Sequence, residues 1–115
     1  MSYSDIYGSP EKYGLRTIGE VQWGDACYSF DLTVVWQDTT TGALYFADDS
    51  GCSCPSPFNM TGRDGLTHID RPQTLIDHLN DRIKQGAEGY WSESETEAAK
   101  ADAGALVLKA RGVLR

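Results

Sequence analysis

The stretch ACYSFDLTVVWQ, residues 26–37, constrains the fold of this chain most, because large apolar side chains alternate in it with smaller or polar ones. The first set is Tyr28, Phe30, Leu32, Val34 and Trp36, and the second is Cys27, Ser29, Asp31, Thr33 and Val35. Successive side chains of a β-strand point to opposite faces of the sheet. The alternation therefore predicts a strand with one apolar face.

Two neighbouring segments extend this strand into an antiparallel meander. LRTIGEVQW, residues 15–23, leads into it. ALYFAD, residues 43–48, follows the polar turn DTTTG and places Leu44 and Phe46 on one face. An apolar sheet face is stable only when a second layer covers it. We expect helices from the second half of the chain to form that cover.

Residues 72–85 have the pattern of an amphipathic helix. Pro72 suits the first turn, where its missing N–H costs nothing, and Gly86 is predicted to end the helix. The apolar stripe is Ile76, Leu79 and Ile83, with Leu75 beside it. With this stripe buried, His78 is predicted to lie on the solvated side of the helix.

A second helix is predicted over residues 92–111. Ser92 and Glu95 have the spacing of a capping box, and acidic residues near the start and basic residues near the end complement the helix dipole. Small apolar residues recur at steps of four and three: Ala99, Ala103, Leu106, Ala110 and Val113. Such a stripe packs either on the chain's own core or against a second copy, so self-association through this helix stays open.

These elements predict an α+β fold, a three-stranded antiparallel meander covered on one face by two helices. At 115 residues, the chain is of a size that forms one hydrophobic core. Residues 1–14 are rich in Tyr, Ser, Gly and Pro without periodicity, and they are predicted to form an irregular arm. We therefore expect a single α+β domain over residues 15–115.

The formal net charge of −7 is concentrated in the first part of the chain. Residues 1–70 carry ten acidic against three basic side chains, and the remainder is balanced. A field of this sign repels nucleic acids and anionic membranes and favours a protein partner with a basic surface. No segment approaches the roughly 20 apolar residues of a membrane span, and the first residues lack the features of a signal peptide, so a cytoplasmic location is expected.

The loop DSGCSCPSPFNMTGRDG, residues 49–65, has no regular pattern. Loops of this length in compact domains are usually functional or braced. Pro55 and Pro57 restrict the backbone, and Phe58 and Met60 are expected to anchor the loop to the core. The motif predicts a stiff, presented loop that contacts a protein partner through Cys52, Ser53, Cys54, Pro55, Ser56, Pro57 and Phe58.

The three cysteines leave two interpretations open. An odd number of thiols in a reducing compartment argues against a disulfide framework. A zinc site would use Cys27, Cys52, Cys54 and either His68 or His78, although this spacing differs from the paired ligands of structural zinc sites. The alternative is that the cysteines are small buried hydrophobes, and this is what we predict, with no cofactor. No catalytic constellation is recognised, so no enzymatic activity is predicted.

The block from VVW through GALYFADD to SGCSCPSPF resembles a family of small uncharacterised proteins encoded by bacteriophages of actinobacteria, mycobacteriophages especially. The resemblance covers residues 28–58, with the helix over 72–86 in the expected place, and it does not extend over residues 90–115. It implies no catalytic residue. It implies a phage protein of the host cytoplasm, either an accessory factor that binds a host or phage protein or a component of the particle.

The sequence therefore leads to an ordered set of functional expectations. The first is a non-enzymatic accessory protein that binds a protein partner. The second is a virion or assembly component that self-associates through the C-terminal helix. The third is a zinc-stabilised module.

Overall fold

The computed structural model describes residues 6–23, 29–52, 58, 62–89 and 91–113. The strands are β1 (Leu15–Gln22), β2 (Ser29–Asp38), β3 (Leu44–Cys52) and β4 (Thr67–Ile69), and the helices are α1 (Pro72–Gly89) and α2 (Glu93–Val113). Short 3₁₀ helices span Pro10–Tyr13 and Arg63–Gly65. The predicted α+β class is confirmed.

The strands form one antiparallel sheet in the order β1-β2-β3-β4, so the predicted count of three strands is corrected to four. The added strand, β4, pairs with β3, and Ile69 lies opposite Leu44. At three residues, β4 is too short for an alternation of side chains to be recognised in the sequence. Its pairing with β3 defines it instead.

The helices cover the sheet face opposite to the one predicted. The predicted apolar face of β2 belongs to a separate cluster of Ile6, Leu15, Leu32, Val34, Trp36 and Phe58. The helices pack on the other face, where Val35 of β2 lies opposite Phe46 of β3. Since both faces of the sheet are apolar, the alternation in one strand does not decide which face the helices cover.

The core between sheet and helices buries the predicted stripe of α2 and most of that of α1, but Ile76, predicted in the stripe, is only half-buried and lies outside this core. The buried residues are Leu75, Leu79 and Ile83 of α1 and Ala99, Ala103, Leu106 and Ala110 of α2, with Val113 packed against them. Gly19 of β1 lets α2 approach closely, because a Cβ there would lie 3.0 Å from Cδ1 of Leu106. The stripe of α2 is therefore covered by the chain's own core and is not exposed to a second copy. Neither helix has a stretch apolar enough to cross a lipid bilayer.

The connection between the two helices confirms one predicted signal and corrects another. The capping box is present: Ser92 Oγ accepts from the Glu95 N–H at 3.2 Å, and Glu95 Oε1 accepts from the Ser92 N–H at 3.4 Å. The prediction that Gly86 ends α1 is wrong, since the helix continues to Gly89. Gly86 instead makes room for Trp91, whose indole a Cβ at that position would overlap.

The N-terminal arm covers the second face of the sheet. Ile6 is fully buried, and Tyr7 stacks on Phe58 with ring centroids 5.9 Å apart. Phe58 in turn meets Trp36 edge to face at 5.2 Å. Part of the arm, predicted to be irregular, forms the 3₁₀ helix Pro10–Tyr13. The sheet is thus a middle layer between the helices and the arm.

Candidate functional site

A polar network joins α1 to the sheet near the start of β2 and the end of β3. Thr33 and Asp48 lie opposite each other on these strands, and Thr33 Oγ1 donates to Asp48 Oδ1 at 2.5 Å. His78 Nε2 of α1 lies 2.8 Å from Asp48 Oδ2. The Trp23 indole N–H donates to Thr33 Oγ1 at 2.8 Å. Side chains that are far apart in sequence therefore converge around one carboxylate.

Arg82, one helical turn after His78, extends this network. Its Nη2 donates to Asp31 Oδ1 at 2.5 Å, and its Nη1 lies 3.4 Å from Asp48 Oδ2. The guanidinium carbon lies 5.5 Å from the centre of the Trp23 ring, a cation–π distance. A cavity of about 210 Å³ beside the network is lined by Asp31, Arg82, Gln85, Gly86 and Trp91.

The network holds Asp48 in its ionised form. Burial by itself raises the pKa of Asp48, but hydrogen bonds from His78 and Thr33 and nearby positive charge outweigh burial, so the pKa lies below its usual value. Both carboxylate oxygens are engaged. Among the hydrogen bonds of the described residues, His78 pairs with this carboxylate and with no nucleophilic side chain. The arrangement fastens α1 to the sheet.

His78 differs from the solvated side chain that was predicted. Its ring centre lies 4.5 Å from that of Phe46, and 27% of its side chain is exposed. The helical pattern alone places His78 outside the apolar stripe. The pattern contains no information about Asp48, which is thirty positions earlier in the sequence and contacts His78 in the fold.

Asp38 organises the turn between β2 and β3 at the other end of the sheet. Its Oδ1 accepts from the N–H groups of Thr40 and Thr41 at 2.8 and 2.9 Å, and its Oδ2 accepts from Arg63 at 2.7 Å. These hydrogen bonds, that of Thr41 first, lower the pKa of Asp38 from 3.8 to about 2. A cavity of about 270 Å³ follows this turn. Both Asp38 oxygens in its wall are already hydrogen-bonded within the chain.

The groove between the outward sides of α1 and α2 is open to solvent, and buried core residues such as Leu79 and Ala103 form part of its lining. It has a volume of about 230 Å³ and is lined by Ile76, Leu79, Asn80 and Ile83 of α1 and by Lys100, Ala103, Gly104, Val107 and Leu108 of α2. Leu108 stands at its rim and is 70% exposed. A Cβ added to Gly104 would meet no atom within 4 Å, so the space over it is open. We call this surface the interhelical groove.

The predicted partner-binding loop falls largely outside the described residues. Residues 53–57, the side chain of Cys52, and Met60 lie there, and their roles stay predictions. Phe58 is described: it is fully buried, and its N–H donates to Asp49 Oδ2 at 2.7 Å. The prediction that Phe58 anchors the loop to the core is therefore confirmed. Its side chain has no face toward solvent, so Phe58 is not a residue that a partner contacts.

The candidate zinc ligands are also divided between described and undescribed parts of the chain. His68 lies on β4 with its ring centre 5.5 Å from that of Tyr45, on the sheet face opposite to His78. Cys27, Cys54 and the side chain of Cys52 are outside the described residues. Within the described ranges, no three His, Cys, Asp or Glu side chains form a group that could hold a metal ion.

Sequence reasoning missed both the polar network and the interhelical groove. A signal for the groove existed: Leu108 is a large apolar residue of α2 outside the stripe predicted to be buried, so a helical projection already places it toward solvent. No comparable signal existed for the network, since its members come from separate strands and a helix. Only their spatial arrangement reveals it.

Comparison with known proteins places the chain in a family. No curated protein and no solved structure matches it. A family model matches residues 4–109, a range that includes the whole described sheet, all of α1 and most of α2. The chain therefore belongs to the family described as a domain of unknown function (DUF7574).

Proposed function

We propose that this protein is a non-enzymatic accessory protein of phage origin that binds a host or phage protein through the interhelical groove. The observation that carries the proposal is Leu108, a large apolar side chain 70% exposed at the rim of an apolar groove. An exposed leucine beside a groove lined mainly by apolar side chains is a surface that a partner's apolar side chains can cover. The resemblance of residues 28–58 to actinobacteriophage proteins supports the phage origin and a location in the host cytoplasm.

The size and lining of the groove favour a protein over a small molecule. Its volume of about 230 Å³ is below the roughly 300–1,000 Å³ of typical ligand pockets, and Asn80 and Lys100 are its polar side chains. A groove of this kind accepts apolar side chains presented along a partner's helix. Full burial of Leu108 would contribute on the order of 1.5–3 kcal/mol, which is the size of an interface hot spot.

The charge of the chain supports a basic surface on the partner. The acidic excess lies in residues 1–70, which form the sheet, so it acts through the long-range field of the molecule and not through the groove, where Lys100 is the charged residue. Opposite charge on a partner speeds the encounter and excludes acidic competitors. The loop over residues 52–57 would add a second contact and remains a prediction.

The proposal is tested by site-specific photo-cross-linking in a mycobacterial lysate. A photoreactive amino acid replaces Leu108 in one variant and Gln73, an exposed residue at the start of α1, in the matched control. We expect one adduct at position 108 that is missing at position 73. The protein identified is then purified, and its Kd is compared for the wild type, Leu108→Asp and Gln73→Asp.

If the groove binds the partner, Leu108→Asp should weaken binding by at least about tenfold, because the change removes an apolar contact and buries a charge. Gln73→Asp should leave the Kd unchanged. Equal labelling at both positions, or equal Kd values for all three proteins, would rule out the groove as the binding surface.

A virion or assembly component is the second candidate function. The observation that favours it is that α2 exposes a side other than its buried stripe, and this side carries Gly104 and Leu108. Self-association through the C-terminal helix would therefore use these residues instead of the stripe that begins at Ala99.

A further inference from the structure

The exposed side of α2 carries opposite charges placed symmetrically about a glycine. Glu97 and Arg111 lie seven residues before and after Gly104, so the three positions fall on one face of the helix, two turns apart. All three are exposed. Leu108, one turn after Gly104, projects from the same side. This face thus combines an apolar side chain, an open position and two complementary charges.

We infer that two copies of this protein pair through this face, with their α2 helices antiparallel and crossing at Gly104. The inference rests on the second candidate function, since it specifies how two copies self-associate through the exposed side of α2. A two-fold axis through the crossing presents the same surface from both copies, which is the arrangement of most closed dimers.

Charge complementarity selects the antiparallel orientation. About the two-fold axis, Glu97 of one copy lies opposite Arg111 of the second copy, and symmetry repeats the pair. Glu97 also lies 3.5 Å from Lys100 of its own helix, but both side chains stay more than half exposed, so the carboxylate is accessible. Parallel helices would instead place each charge against its own kind, which is repulsive.

The packing at the crossing agrees with this orientation. Because no atom lies within 4 Å of a Cβ at Gly104, a second helix meets no obstacle there, and the lack of a side chain allows a close approach of the two axes. Leu108 of each copy then packs beside Ala101 of the other copy, which is also exposed in the single chain. The exposed leucine is covered in this pair.

Sedimentation equilibrium of the full chain over a range of concentrations tests the inference. The wild type is expected to show a monomer–dimer equilibrium. Glu97→Arg and Arg111→Glu should each weaken the dimer by roughly tenfold, because each converts two attractive pairs into repulsive ones. The double variant, with both charges exchanged, should restore the dimer. Asp102→Arg makes the same change of charge on another face of the helix and should leave the dimer constant unchanged.

A monomer at every concentration overturns the inference, and so does a double variant that fails to restore the dimer. The substituted side chains are exposed, and circular dichroism of each variant confirms that it is folded. A monomeric wild type that still forms the adduct at position 108 with a different protein overturns the pairing of copies and leaves the proposed function standing. A monomeric wild type without any adduct overturns both.

Discussion

Single carboxylates fasten elements that are distant in sequence. Asp48 joins β3 to α1 through His78. Asp38 joins the turn after β2 to Arg63, whose Nη1 also donates to the carbonyl oxygen of Tyr13 at 2.9 Å. Hydrogen-bond donors around both carboxylates favour the ionised form, so each pKa is lower in the folded chain than usual. Such groups link stability to pH.

Stability is therefore expected to fall in acid. The pKa of Asp38 is about 2 in the folded chain against an ordinary value of 3.8, so its contribution is fully present above the ordinary value and is lost as the pH falls from about 5 toward 2. The lowered pKa of Asp48 acts in the same direction. Urea unfolding at a series of pH values should show this loss, with a flatter profile for Asp38→Asn. Asp102→Asn, which changes an exposed carboxylate, should keep the wild-type profile, and an unchanged Asp38→Asn profile would contradict the assignment.

At the scale of elements, two glycines inside helices have opposite surroundings. Gly86 of α1 lies against the indole of Trp91, which stacks on Trp23 with ring centroids 5.9 Å apart. Gly104 of α2 faces open space. Within one copy of the chain, the same residue type therefore allows a close approach in one helix and lowers helix propensity in the other.

Replacing each glycine with alanine should have effects of opposite sign. Gly86→Ala is expected to lower the free energy of unfolding by about 1–3 kcal/mol, because the added methyl group overpacks against Trp91. Gly104→Ala, the matched control, should raise it by about 1 kcal/mol through helix propensity. Urea unfolding at low protein concentration, followed by circular dichroism, measures both. A gain of similar size in both variants would show that the indole moves aside at no cost.

The elements differ in how far local sequence predicts them. Ser92 and Glu95 predicted the start of α2, because a capping box is a contact within four residues. The end of α1 was missed since Gly86 is a common stop signal, whereas here it lies inside a helix that continues to Gly89 and makes room for Trp91. The strand β4, Thr67–Ile69, is defined by its pairing with β3, and its three residues show no alternation that the sequence could reveal.

At the scale of the whole molecule, the sheet is buried on both faces by different means. Two helices cover one face, and the arm together with Phe58 covers the other. Phe58 has a φ of +61°, a backbone conformation that costs a non-glycine residue of order 1–2 kcal/mol. Burial of its ring against Trp36 and Tyr7 outweighs that cost. The second layer is thus part of the core and not an appendage.

Truncating this anchor should destabilise the whole chain. Phe58→Ala is expected to lower the free energy of unfolding by about 3–5 kcal/mol, the range for a buried aromatic ring. Leu108→Ala, a truncation of an exposed apolar residue, should change it by less than about 0.5 kcal/mol. Chemical denaturation followed by tryptophan fluorescence gives both values, and a cost below about 1 kcal/mol for Phe58→Ala would mean that the second layer contributes little.

The sequence by itself determined the local elements of this protein: the alternation in β2, the stripes of α1 and α2 and the capping box each depend on neighbours within a few residues. Only the tertiary structure decided which sheet face the helices cover, which strand β4 joins and which carboxylate lies under His78. The interhelical groove also exists only once α1 and α2 lie side by side. The physical reason is that periodicity is a property of adjacent residues, whereas the choice between two apolar faces depends on how surfaces from distant parts of the chain fit together.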